Sequence, residues 1–133
     1  MKNLKIISTL ALLFILTSCA TTLKFPSSDV TPAADISAKK TEDKHGNFKV
    51  TITAKNLASP DRLNPSKSTY VVWIVTESDG IRKIGQLKIK NVKTAEIETL
   101  TPFAFTEIFI TAEDNIDISY PSGIEIARAR FKK

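Results

Sequence analysis

The stretch "TYVVWIVT", residues 69–76, decides how the rest of this 133-residue chain is read. It is apolar at odd and even positions alike, and Val71, Val72, Ile74 and Val75 are β-branched. Side chains alternate between the two faces of a strand, so such a run belongs to a central strand buried on both sides. Asp79-Gly80 follows, a turn signal because glycine accepts positive φ. Upstream, "FKVTITAK", 48–55, alternates strictly, with Phe48, Val50, Ile52 and Ala54 on one face and Lys49, Thr51, Thr53 and Lys55 on the other. That is the period of a half-buried strand. "HGN", 45–47, reads as the hairpin turn before it, which makes residues 35–42 the partner strand.

Downstream, "IGQLKIKN", 84–91, resumes the alternation and directs Leu87 and Ile89 inward. "AEIETL", 95–100, and "FTEIFITA", 105–112, continue the series. The last segment, "IEIARARF", 124–131, changes parity between Ile126 and Ala127, which a β-bulge near Ile126 would reconcile. About seven strands in roughly 100 residues, separated by turns and by the long loop "NLASPDRLNPSKS", predict an all-β domain over 34–133. The expected architecture is an antiparallel immunoglobulin-like β-sandwich, with a small barrel as the alternative. Trp73 is similar to the buried tryptophan of immunoglobulin domains, but their cysteine pair is missing; it reads as a large core residue.

The N-terminus has a different character. "MKNLK" is basic, and "IISTLALLFIL", 6–16, is apolar but about half the length that spans a bilayer. It ends at Leu16-Thr17-Ser18-Cys19, which contains the single cysteine. These residues resemble the lipobox of bacterial lipoproteins. The resemblance implies a signal peptide over 1–18, diacylglycerol on the Cys19 sulfur, cleavage before Cys19, and acylation of the new N-terminus. The lipid bilayer is then a partner through acylated Cys19, because several chains on one residue anchor a domain without a spanning helix. Residues 19–33, rich in Thr, Ser and Pro, read as a tether. Ala20 in place of Asp after the cysteine lacks the inner-membrane retention signal, so the resemblance favours the outer membrane, facing the periplasm.

Loss of Lys2 and Lys5 with the signal would lower the formal charge from +5 to about +3. Both signs are interspersed, and an envelope address argues further against nucleic acid. Without a second cysteine in the chain no intramolecular disulfide forms, and stability must come from packing.

A second likeness lies in the body. "YVVWIVTESDGIRKIGQL", with Tyr70, Trp73, Gly80 and Gly85, resembles the strand–turn–strand signature of the extracytoplasmic C-terminal domain of anti-sigma-K factors. "IFITAED", 108–114, and "YPSG", 120–123, resemble the segment before that domain's last strand. The resemblance covers about 68–131 and implies a β-sandwich outside the cytoplasm. It implies no anti-sigma activity, which resides in a cytoplasmic helical domain of that family.

Chemistry is sparse. His45, the one histidine, lies in the proposed turn, and no Gly-x-Ser-x-Gly elbow accompanies it. "EDNID", 113–117, has the oxygen ligands that hard cations want but not the EF-hand spacing, and reads as a solvated loop. "KIKNVK", 88–93, reads as lysine protection of a strand edge. "DRLNP", 61–65, is where a partner surface is expected, since loops on rigid scaffolds carry binding. The expected function is therefore a non-enzymatic binding or structural module with no cofactor or metal, and an envelope protein as its partner. The alternatives are an accessory sensor module, and a small hydrolase built on His45.

Overall fold

The computed structural model describes residues 19–132; the proposed signal peptide and the lipobox residues Leu16, Thr17 and Ser18 lie outside them. The chain folds into two antiparallel sheets packed face to face. The strands are β1 (Ala20–Lys24), β2 (Asp35–Glu42), β3 (Phe48–Lys55), β4 (Thr69–Thr76), β5 (Ile81–Gln86), β6 (Lys88–Asn91), β7 (Thr94–Thr101), β8 (Phe105–Glu113) and β9 (Ile124–Arg130). The first sheet has the order β1-β2-β3-β7-β6 and the second β5-β4-β8-β9. Leaving β1 and β5 aside, the remaining seven strands have the two-sheet arrangement of a constant-type immunoglobulin domain. Nine strands replace the expected seven for two reasons: the single strand read over 84–91 is two strands, and β1 lies in the segment read as tether.

β4 is buried on both faces, as its composition requires. Tyr70, Val72 and Ile74 join the core between the sheets, with Val50, Ile52, Ile108, Ile110, Ala127 and Ala129. Val71 and Trp73 belong to a second cluster with Phe109. Trp73 is therefore fully buried, but on the outer face of its sheet and not in the central core. The β8–β9 loop covers it there with Ile116 and Ile118.

The parity change in β9 is a bulge at Ile126: Ile110 pairs with Ala127 and Thr111 with Glu125, which leaves Ile126 unopposed. Both Ile126 and Ala127 are buried as a result. The 84–91 segment departs from expectation. It pairs with β4 up to Gln86, leaves that sheet at Leu87, and continues as β6 at the edge of the other. Leu87 is buried, whereas Ile89, expected inward, is 70% exposed. Gly85 adopts φ +155°, a backbone conformation that L residues rarely take, so the crossing from one sheet to the other favours glycine.

Residues 20–32 are ordered against the domain and do not form a loose tether. β1 pairs with β2 along its whole length, from Ala20↔Thr41 to Lys24↔Ser37. Phe25 enters the core, and the Ser28 hydroxyl accepts the Thr31 amide at 3.1 Å. Among the described residues, the first strand thus begins immediately after Cys19.

Gly123 gives a stringent test of the β8–β9 packing, because a Cβ there would lie 1.9 Å from the Ala112 carbonyl oxygen. Gly123→Ala is expected to destabilise by more than about 2 kcal/mol, since a backbone atom cannot swing aside. Gly46→Ala, at φ +80° with nothing nearby, should cost only about 1–2 kcal/mol for its left-handed backbone. Urea unfolding of both variants checks the order, and equal losses would refute it.

Candidate functional site

A concavity of about 860 Å³ opens at one end of the sandwich. The β3–β4 loop forms one wall through Leu57–Asp61 and Ser66–Ser68, and the β5–β6 crossing and β6–β7 hairpin form the other. Its position follows from the topology. At Leu87 the chain leaves one sheet for the other, and the two sheets are bridged at this end by the long loop. The Leu87 amide donates to the Tyr70 carbonyl at 3.0 Å, and Asn56 N–H donates to Lys93 O at 2.8 Å, tying both walls to the strands.

Leu57, Leu87 and Ala95 make the groove partly apolar, and Ser, Thr, Asn and Gln side chains supply its polar groups. Gln86 Nε2 donates to Thr69 Oγ1 at 2.7 Å. Tyr70, 5% exposed, donates its hydroxyl to Ala58 O at 2.6 Å and braces the loop from below. Burial, with a smaller contribution from the Asp61 carboxylate, pushes the Tyr70 phenol up to about 12. Part of the loop read as a partner surface, Asp61, therefore does line a groove, while Leu63 turns into the core.

The other candidates are dispersed. His45 is exposed in the β2–β3 turn, at the far end of β3 from the groove. Its amide and that of Asn47 donate to Asp43 Oδ1 at 2.8 and 2.9 Å, and these bonds, that from Asn47 foremost, hold the Asp43 carboxyl below its usual range. This is turn chemistry, and among the described residues the His45 imidazole makes no side-chain hydrogen bond. The "EDNID" residues separate. Glu113 is not on a solvated loop but closes β8, buried, where it accepts the Thr111 hydroxyl at 2.5 Å and the Ser122 hydroxyl at 3.0 Å. Asp114 is exposed and pairs with Lys67 at 3.4 Å. Among the described residues, no three His, Cys, Asp or Glu side chains are grouped to hold a metal ion. Cys19 is exposed at the mouth of β1.

Sequence reasoning missed a half-buried lysine against aromatic rings. Lys40 Nζ lies 4.4 Å from the Phe105 ring centroid, 4.9 Å from Phe48 and 5.0 Å from Phe131, and donates to Phe105 O at 3.1 Å. Burial lowers its pKa while Glu42 and Glu77 oppose the shift; the three ring faces also favour the charged form. Its own amine fills this cage, which closes the sandwich end opposite the groove. The Phe48, Phe105 and Phe131 positions were visible in sequence, but nothing there signalled that a lysine from β2 joins them.

No protein-family model matches the chain, and no curated protein or solved structure matches it significantly. The residues that carried the resemblance to anti-sigma-K outer domains have structural work here: Tyr70 braces the loop, Trp73 is buried, and Gly80 (φ +71°) and Gly85 shape backbone.

The raised Tyr70 pKa has a defined sign. The folded chain favours the neutral phenol, so this stabilisation is present below the ordinary value near 10 and is lost as pH rises through about 12. Of the two tyrosines, the other is Tyr120. In a Tyr120→Phe variant, phenolate absorbance should therefore show a midpoint near 12. A midpoint at the ordinary phenol value would mean that the loop leaves Tyr70 open to water.

Proposed function

We propose that the chain is a lipid-anchored lipoprotein of the bacterial cell envelope, a non-enzymatic binding module that offers the groove to an envelope partner. The observation that carries this reading is the position of Cys19. It is exposed, outside either core, and one residue before the first strand. A thiol in that position serves neither packing nor a disulfide within the chain, and it is accessible to acylation.

The strand directions give the proposal a geometry. Ala20 pairs with Thr41, beside the β2–β3 turn, whereas the groove lies beyond the other ends of β3 and β4. A bilayer at Cys19 would therefore meet the end with Lys44 and His45, and the groove would face away from it. One eight-residue strand separates the two ends, about 27 Å at ~3.4 Å per residue. Outer-membrane attachment facing the periplasm remains part of the proposal, on Ala20 following the cysteine.

Fractionation of cells expressing the full chain tests the anchor. The wild type should sediment with membranes and yield an N-terminal peptide carrying diacylglycerol and fatty acid on Cys19. Cys19→Ser should lack the lipid and its cleavage before residue 19. If mass spectrometry finds an unmodified Cys19 in the membrane-bound wild type, the lipoprotein reading fails.

A further inference from the structure

Resting on the reading of the groove as a binding site, we propose that its occupant is an extended, acidic protein segment carrying an apolar side chain. Three observations converge on that chemistry. One lip of the groove carries exposed apolar residues: Ile89 is 70% exposed and Val92, at the tip of the β6–β7 turn, 99%. Such residues expose apolar surface that a partner could cover.

The cations around the groove are in excess. Lys90 is paired with Glu96 and Lys67 with Asp114. Among the described residues, Lys55, Arg62, Lys88 and Lys93 have no carboxylate within ion-pair distance. Lys88 lines the groove, Lys93 follows the lining residue Val92, Lys55 stands opposite the lining residue Thr94, and Arg62 follows the lining residue Asp61 on the β3–β4 loop. Among the described residues, Asp61 is the one acid in the lining. A positive rim around an apolar lip is complementary to alternating carboxylates and apolar groups.

The third observation is what the site lacks in aromatic surface. Sugars and nucleobases are held by stacking on exposed rings. Among the described residues, Tyr70 is the only aromatic one lining the groove, and it is buried with its hydroxyl committed to Ala58. Recognition also does not proceed by adding a strand to β6. That strand has four residues, and its pairing shifts between Ile89 and Asn91, so it offers a poor template for main-chain pairing. Side chains therefore carry the contact: Lys88 and Lys93 for the carboxylates, Ile89 and Val92 for the apolar group.

Fluorescence anisotropy with the full chain in detergent tests this. The probe is a labelled peptide Ser-Glu-Leu-Glu-Val-Glu-Ser-Gly; the controls are the same peptide with Lys for each Glu, and polygalacturonate. The acidic peptide should bind at least roughly tenfold tighter than the basic one, and weaken on raising NaCl from about 50 to about 300 mM. Lys88→Glu with Lys93→Glu, and separately Ile89→Ser with Val92→Ser, should each weaken it by roughly tenfold; all four side chains are exposed, so the fold should survive. Three results would overturn the proposal: equal binding of the two peptides or none; polygalacturonate binding unaffected by the Ile89 and Val92 changes while the peptide fails; or a second copy of the chain occupying the groove by sedimentation. Cys19→Ser should keep the peptide affinity, so failure of the anchor and failure of the groove chemistry register separately.

Discussion

Burial of β4 on both faces sets the terms for the rest of the molecule. One face is satisfied by the opposing sheet, but the other places Val71 and Trp73 against solvent unless something covers them. The cover is the β8–β9 loop, with Ile116 and Ile118. A buried indole N–H needs an acceptor, because leaving it unpaired costs about 1–3 kcal/mol. Trp73 donates to Thr111 Oγ1 at 2.8 Å, Thr111 to Glu113, and Glu113 in turn accepts from Ser122 on the covering loop. The buried Glu113 carboxyl group is thus hydrogen-bonded on both oxygens. Gly123 completes the fit by letting the returning chain touch β8. One hydrophobic requirement therefore specifies a polar network and a glycine far along the sequence.

The groove has a different origin. It exists because a single stretch of alternating residues serves two sheets. Val72 opposes Gly85 and Trp73 opposes Lys83, so Ile84 is bulged just before the transfer. Leu87 then passes between the sheets, buried, and the chain re-emerges as an edge with Ile89 outside. The gap left where the sheets part company is walled by the β3–β4 loop, which Tyr70 holds in place.

These two histories explain what could be read in advance. β4, β3 and the Ile126 bulge were legible because each leaves its mark on local parity, and a strand reports its faces through alternation. The break at Leu87 was not. Leu87 and Ile89 keep the same parity across it, and only the separate partners of β5 and β6 reveal the transfer. β1 was hidden for another reason: it has five residues, two of them Thr, amid Ser and Pro, and its order comes from pairing with β2. Glu113 was read as solvated because its neighbours Asp114, Asn115 and Asp117 are, yet it falls on the last residue of the strand and lies buried beneath the covering loop, on the face that carries Trp73. As for the groove, Asp61 on the loop was visible as a surface, whereas the residues facing it come from 86–95 and meet it only in the fold.

The pairing of β1 with β2 also has a mechanical side. Cys19 and the groove lie at opposite ends of strands that run between them. Tension between the two would act along the strand axis. The ladder from Ala20↔Thr41 to Lys24↔Ser37 would then be loaded in shear, its hydrogen bonds sharing the force, and would not open one pair at a time. Pulling sideways on Cys19 would instead peel β1 from its edge, starting at Ala20. The same five residues are a firm grip in one direction and a zipper in the other.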